Sequence, residues 1–158
     1  MSNPAETPSA ALARLGLALP AAPKPVAAYV PAVRSGNLIF VSGQLPMSAG
    51  TLMATGPVPS KVSVEDAQKA AKQCALNGLA VVADQLGGDL SRVRRIVRLG
   101  VFVQSDDRFD GQPKVANGAS ELMQEVFGEA GRHARAAVGT NALPLDATVE
   151  VEMLVEVV

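Results

Sequence analysis

Val149, Val151, Met153, Val155 and Val157 take alternate positions against Glu150, Glu152 and Glu156. Side chains along a strand point to opposite faces in turn, so this period of two specifies a strand with one apolar and one carboxylate-bearing face. A slip of one residue would exchange the two faces, so the face that Glu150 takes depends on the register of this strand. Such a strand needs neighbours in a sheet and an apolar layer against its valine side.

The rest of the chain supplies both. Val26 to Val33 reads as a strand, Ser35-Gly36-Asn37 as a turn, and Leu38 to Ser42 as a second strand, together a β-hairpin. Residues 45 to 62, rich in Gly, Pro, Ser and Met, read as a long surface loop. Ser63 with Asp66 predicts a reciprocal helix cap. Ala67, Ala71, Cys74, Gly78, Val81 and Val82 then follow at helical spacing up to Gly87-Gly88. Val93, Arg95, Val97, Leu99, Val101 and Val103 alternate over one strand from 93 to 104, with Phe102 on its other face. A second long helix follows from Pro113 through Val115, Ala119, Leu122, Met123 and Val126 to a stop at Gly128.

The order ββαβαββ gives an α+β layer, with both long helices on one face of a mixed sheet. The other face would expose β-branched side chains to water unless a second copy covered it, so oligomerisation is expected on physical grounds. Before the hairpin, residues 1 to 9 are expected to fray and residues 10 to 18 to form a short helix closed by Pro20. Pro23 and Pro25 then give a stiff lead-in. This divides the chain into an extension over 1–25 and one domain over 26–158.

Composition narrows the function classes. Of 158 residues, 48% are apolar and 3% aromatic, which calls for an aliphatic core in a single domain. With 14 basic and 15 acidic residues the chain lacks the positive field that nucleic acid or an anionic membrane surface would need. Arg92, Arg94, Arg95 and Arg98 fall on both faces of a strand, which dilutes the one basic cluster. No apolar run is long enough to span a membrane, and the opening residues lack a secretory pattern, so a cytoplasmic protein is expected.

Cys74, the single cysteine, reads as a small buried hydrophobe, and with one histidine it cannot build a zinc site. Asp106, Asp107 and Asp110 lack a calcium-loop pattern and read as solvated surface, and Ser42-Gly43 lacks a nucleophile elbow. His133 precedes Arg135 by two positions, which aims it to the arginine's side of a strand or into a loop.

Chemistry concentrates between Arg135 and Glu152. Arg135 opens the stretch Ala136-Ala137-Val138, which runs through Leu143-Pro144 into Val149-Glu150-Val151-Glu152. A proline-containing turn is expected to bring arginine and carboxylate together, the arrangement needed to hold a small anion beside an activated water. The alternatives are a surface ion pair for Arg135 and a solvated strand position for Glu150.

Tyr29-Val30-Pro31, Ser35-Gly36-Asn37-Leu38, Ser42-Gly43-Gln44-Leu45-Pro46 and the Arg135 to Glu152 segment occur in the order and with the gaps of the Rid family, also called YjgF or RidA-like, and the chain resembles it over roughly residues 25 to 158. The Arg-His-Ala-Arg-Ala-Ala-Val-Gly form resembles a distinct subgroup. The resemblance implies a chorismate-mutase-like fold assembled as a homotrimer with ligand clefts between subunits. It implies hydrolysis of reactive 2-imino or enamine acids to 2-oxo acids and ammonia without metal or cofactor.

By the same resemblance Arg135 clamps the substrate carboxylate through its planar fork and Glu150 positions or activates water. Gly43 and Ala137 offer main-chain groups to the ligand, Tyr29 lines the cleft from a neighbouring subunit, and Asn117 borders it. Two features depart from the pattern. Ala137 stands where active deaminases carry cysteine, and the stretch from Asn117 to Arg135 is one residue longer than in the archetypal deaminases. A non-catalytic trimer that binds a small carboxylate is the alternative, with the endoribonuclease label of older usage ranked below both.

Overall fold

The computed structural model describes residues 6–24 and 28–158. Three helices, α1 (Pro8–Arg14), α2 (Val64–Gln85) and α3 (Gln112–Phe127), accompany seven strands, β1 (Ala32–Ser35), β2 (Leu38–Gln44), β3 (Met47–Ser48), β4 (Thr51–Leu52), β5 (Val93–Gln104), β6 (Ala134–Thr140) and β7 (Val149–Val157). Five strands form one mixed sheet in the order β1-β2-β7-β5-β6, antiparallel except for the parallel β5–β6 pair.

β7 therefore lies in the middle, where its alternation is fully used. Val149, Val151, Met153, Val155 and Val157 are buried against the helices, and the glutamates stand on the open face. α2 covers β2 and β7 while α3 covers β5 and β6, so both long helices share one face, as the element order predicts. Small residues let these layers approach. A side chain at Gly78 would strike the Met153 methyl, and one at Gly118 would strike the backbone carbonyl of Gln68.

Helix α2 starts where the sequence predicts: Ser63 Oγ accepts from the Asp66 amide at 3.1 Å. The reciprocal half of the cap is absent, because the Asp66 carboxylate pairs with Lys69 at 3.0 Å. Cys74 is fully buried, its thiol donating to the Val149 carbonyl, and burial followed by the charge of Glu150 pushes that thiol well up. Helix α3 ends at Gly128, whose φ of +58° suits a residue without Cβ.

Other expectations need correction. The expected strand from Val26 shortens to β1 because Pro31 has no N–H for a ladder, and its start at Val26, with the domain boundary placed there, lies outside the described residues. The strict alternation expected along β5 breaks at two irregularities against β7, between Val93 and Arg95 and between Ile96 and Arg98. These turn Ile96 into the core and leave Arg95 outside.

The loop after β2 folds into the β3–β4 hairpin, turned by Ala49 and Gly50 with φ of +49° and +82°. Nor does the chain fray over residues 6–9; the rest of the stretch expected to fray, residues 1–5, lies outside the described residues. Glu6 accepts from Arg14 at 3.0 Å and Thr7 caps α1, which buries Ala11 and Leu12 and packs on α3. Asp106 is more than solvated surface, since it accepts from both the amide and the hydroxyl of Ser60 at 2.7 and 2.8 Å.

The sheet face opposite the helices is open. Val33, Phe40 and Val138 are exposed there, and the pairing places Leu154 beside Phe40 and Phe102 beside Val138.

Candidate functional site

Arg135 sits on the outer strand β6, opposite buried Leu99 of β5, so its side chain leaves on the helix side of the sheet. There Nη1 donates to Asn117 Oδ1 at 2.9 Å and to Ser120 Oγ at 3.1 Å, both on α3. Those two bonds use both hydrogens of Nη1. Among the described residues the remaining edge of the fork, Nε with Nη2, meets no carboxylate, and that edge matches the two oxygens of a carboxylate ligand.

Ser120 is held in turn by His133. Its hydroxyl lies 2.9 Å from Nε2, and Nδ1 lies 2.7 Å from the Gly131 carbonyl. That carbonyl can only accept, so in the neutral ring Nδ1 carries the hydrogen and Nε2 accepts from Ser120. The serine oxygen is left free to receive Arg135. The relay Gly131–His133–Ser120–Arg135 fixes a cation that two side-chain bonds alone would hold loosely. The spacing of His133 and Arg135 aims both to one side, but Ser120, a polar position within the α3 pattern, gave no signal in the sequence.

Ala137 follows on the same face, beside Val101, and is half-buried against the core. Its methyl occupies the place where the archetypal pattern has a thiol.

Glu150 lies elsewhere. It pairs with Phe102, three residues along β5 from the partner of Arg135, and so emerges on the open face. The proline-containing turn does not bring arginine and carboxylate together within one chain, because β5 lies between β6 and β7. Instead the Glu150 carboxylate folds across β2 onto Gly43, where any side chain would collide with it. Burial raises its pKa above the ordinary carboxylate value, and the Glu152 charge adds to the rise. A carboxylate with a raised pKa is a stronger base toward water than an ordinary one.

Glu152 lies in the same way over Gly100 of β5, its oxygen 2.6 Å from where a Cβ would stand, and pairs with Arg98 at 3.0 Å. Two carboxylates of β7 thus rest on glycines of the strands to either side.

Gly43 also lines a cavity of about 610 Å³ with Tyr29, Leu45 and Met47. The six residues singled out from the sequence therefore form two groups. Arg135, Asn117 and Ala137 lie at the β6 edge on the helix side, while Glu150, Gly43 and Tyr29 lie at the end of β2 around the cavity and the open face.

No helix among the described residues is long and apolar enough to cross a membrane. Residues 9–157 match the protein family described as "YjgF/chorismate_mutase-like, putative endoribonuclease". Protein TCP17 of Trypanosoma cruzi is 49% identical over 149 residues, covering 94% of this chain and 92% of its own. The 2-iminobutanoate/2-iminopropanoate deaminase of Dermatophagoides farinae is 30% identical over 140 residues, 88% of this chain and 93% of its own. The crystal structure of Atu1372 from Agrobacterium tumefaciens, a protein of unknown function, superposes with a TM-score of 0.91 at 50% identity, over 96% of this chain and 92% of that one. Fold, motif order and these relatives agree, and the chain belongs to the YjgF (Rid) family.

Proposed function

We propose that this protein is a cofactor-independent deaminase in the cytoplasm that hydrolyses 2-imino or enamine acids to 2-oxo acids and ammonia. It acts as a homotrimer. The observation that carries this reading is the Arg135 fork, anchored through Nη1 to Asn117 and Ser120, with its other edge free of any carboxylate among the described residues. That edge takes the substrate carboxylate. The 30% identity to a mite protein named 2-iminobutanoate/2-iminopropanoate deaminase supports the choice of substrate class.

In this reading the two separated groups are two walls of one cleft. Arg135 of one subunit faces Glu150, Gly43 and Tyr29 of the next, which also covers the apolar open face carrying Val33, Phe40 and Val138. Glu150 takes a proton from water as its oxygen adds to the imine carbon. Glu150 returns that proton to the nitrogen, the C–N bond breaks as the new hydroxyl gives up its proton to form the carbonyl, and ammonia leaves.

Generating 2-iminobutanoate enzymatically in the presence of semicarbazide tests this reading. Semicarbazone formation should fall as the protein is added, and an unchanged rate at micromolar trimer would refute catalysis. Ala137 favours a second reading, a trimer that binds small carboxylates without turnover. That reading predicts saturable 2-oxo acid binding, lost in Arg135→Ala, with no effect on semicarbazone formation.

A further inference from the structure

The cavity beside Gly43 is lined in part by the segment that precedes β1. Pro20, Ala21, Pro23 and Lys24 of that segment line it together with Leu45, Met47 and Leu145. That segment is well anchored up to residue 19, since α1 buries Ala11 and Leu12, and Leu15, Leu17 and Leu19 pack against the same core.

Part of the remaining lining is pinned as well. Asn77 of α2, 7% exposed, gives one hydrogen of its amide to the Leu45 carbonyl and the other to that of Met47, each at 3.0 Å. The Gln44 amide donates to the Ser42 carbonyl at 3.0 Å. Both amide hydrogens of Asn77 and one of Gln44 are thus engaged within the protein. Of the lining side chains among the described residues only Lys24 is charged, and Tyr29, Met47 and Leu145 are exposed apolar residues of the lining. Such a cavity favours an aliphatic or aromatic group over a polar one. Its volume of about 610 Å³ far exceeds what the methyl or ethyl group of a three- or four-carbon acid would fill.

From this geometry we infer that the cavity is the side-chain subsite of the cleft, and that the substrate class is 2-imino acids bearing a bulky apolar side chain, selected by the N-terminal segment. The inference rests on the reading of Arg135 and Glu150 as the carboxylate and water sites. Gly43 joins the two parts, since its main chain lines the cavity while the Glu150 carboxylate lies across it.

Binding of pyruvate and of 4-methyl-2-oxopentanoate to the full-length protein, measured by calorimetry, tests it without requiring turnover. Each added buried methylene is worth about a three- to fourfold gain in affinity, so the branched acid should bind about tenfold tighter or better. Ala21→Trp fills the cavity from the N-terminal segment and should cut that preference below about twofold. Met47→Trp fills it from β3 and should do the same, so a disturbed lead-in cannot imitate the result.

Equal affinity of the two acids for the wild type would overturn the inference. So would variants that alter subunit assembly by light scattering while keeping the preference, since the cavity would then belong to a subunit contact. Semicarbazide competition with imines made from leucine and from 2-aminobutyrate separates the two levels. Turnover confined to the small imine removes the subsite and leaves the catalyst. A preference for the branched acid with no turnover of either imine removes the catalyst and leaves the subsite.

Discussion

Arg135 and Glu150 leave opposite faces of one sheet, with β5 between their strands. A site using both must take them from different chains. Arg135→Ala and Glu150→Gln should therefore each abolish imine hydrolysis alone, yet regain activity when unfolded together and reassembled. Random mixing in a cyclic trimer leaves about a quarter of the clefts with both residues intact. Recovery near that fraction in the semicarbazide assay is the expected result, and none at all would place both residues in one subunit's site or outside the chemistry.

Ser120 is the hinge of the relay that orients Arg135. Its replacement by alanine removes a hydrogen bond to a charged donor and frees His133, a loss of about 1.5 kcal/mol or more. Steady-state kinetics of Ser120→Ala should show KM raised about tenfold with kcat nearly unchanged. Equal falls in kcat and kcat/KM would instead mark an interaction made only in the transition state.

The raised pKa of Glu150 sets the direction of the pH dependence. Only the ionised form accepts a proton from water, so kcat/KM should rise with pH through a value above the ordinary carboxylate range. Glu152→Gln removes the smaller cause of the rise, leaves burial, and should move that limb to lower pH.

Stability runs the opposite way with pH. A folded-state pKa above the unfolded one contributes stability that is present below the unfolded value and lost as pH rises through the folded value. Glu150→Gln should accordingly gain thermal stability relative to wild type at neutral pH and lose that advantage in acid.

Asn77 bridges α2 to the chain that follows β2. In Asn77→Leu the Leu45 and Met47 carbonyls lose their donor, at a cost of about 2–3 kcal/mol. Urea unfolding should show the midpoint fall with little change in slope, and the β3–β4 hairpin should gain hydrogen-exchange rates more than the sheet.

Elements whose signals are local were legible in the sequence. Ser63, Gly128 and the valine alternation mark the limits of α2, α3 and β7 because caps and strand periodicity act within a few residues. The placement of Arg135 relative to Glu150 was not. Spacing along the chain brings Arg135 near Glu150, but strand order is a long-range outcome, and insertion of β5 between them reverses that neighbourhood. Ser120 escaped notice because only the packing of α3 on β6 gives it an arginine to hold. The β3–β4 hairpin escaped because two-residue strands show no period.

The middle strand of the sheet is also the one that follows all its neighbours in the chain. During synthesis β2 and β5 emerge without the partner that joins them, and their inner edges stay unpaired until β7 has cleared the ribosome. Sheet closure therefore waits on β7, and a nascent chain stalled before residue 149 should hold helices and a hairpin, yet remain open to proteases and to chaperones that bind exposed strand edges.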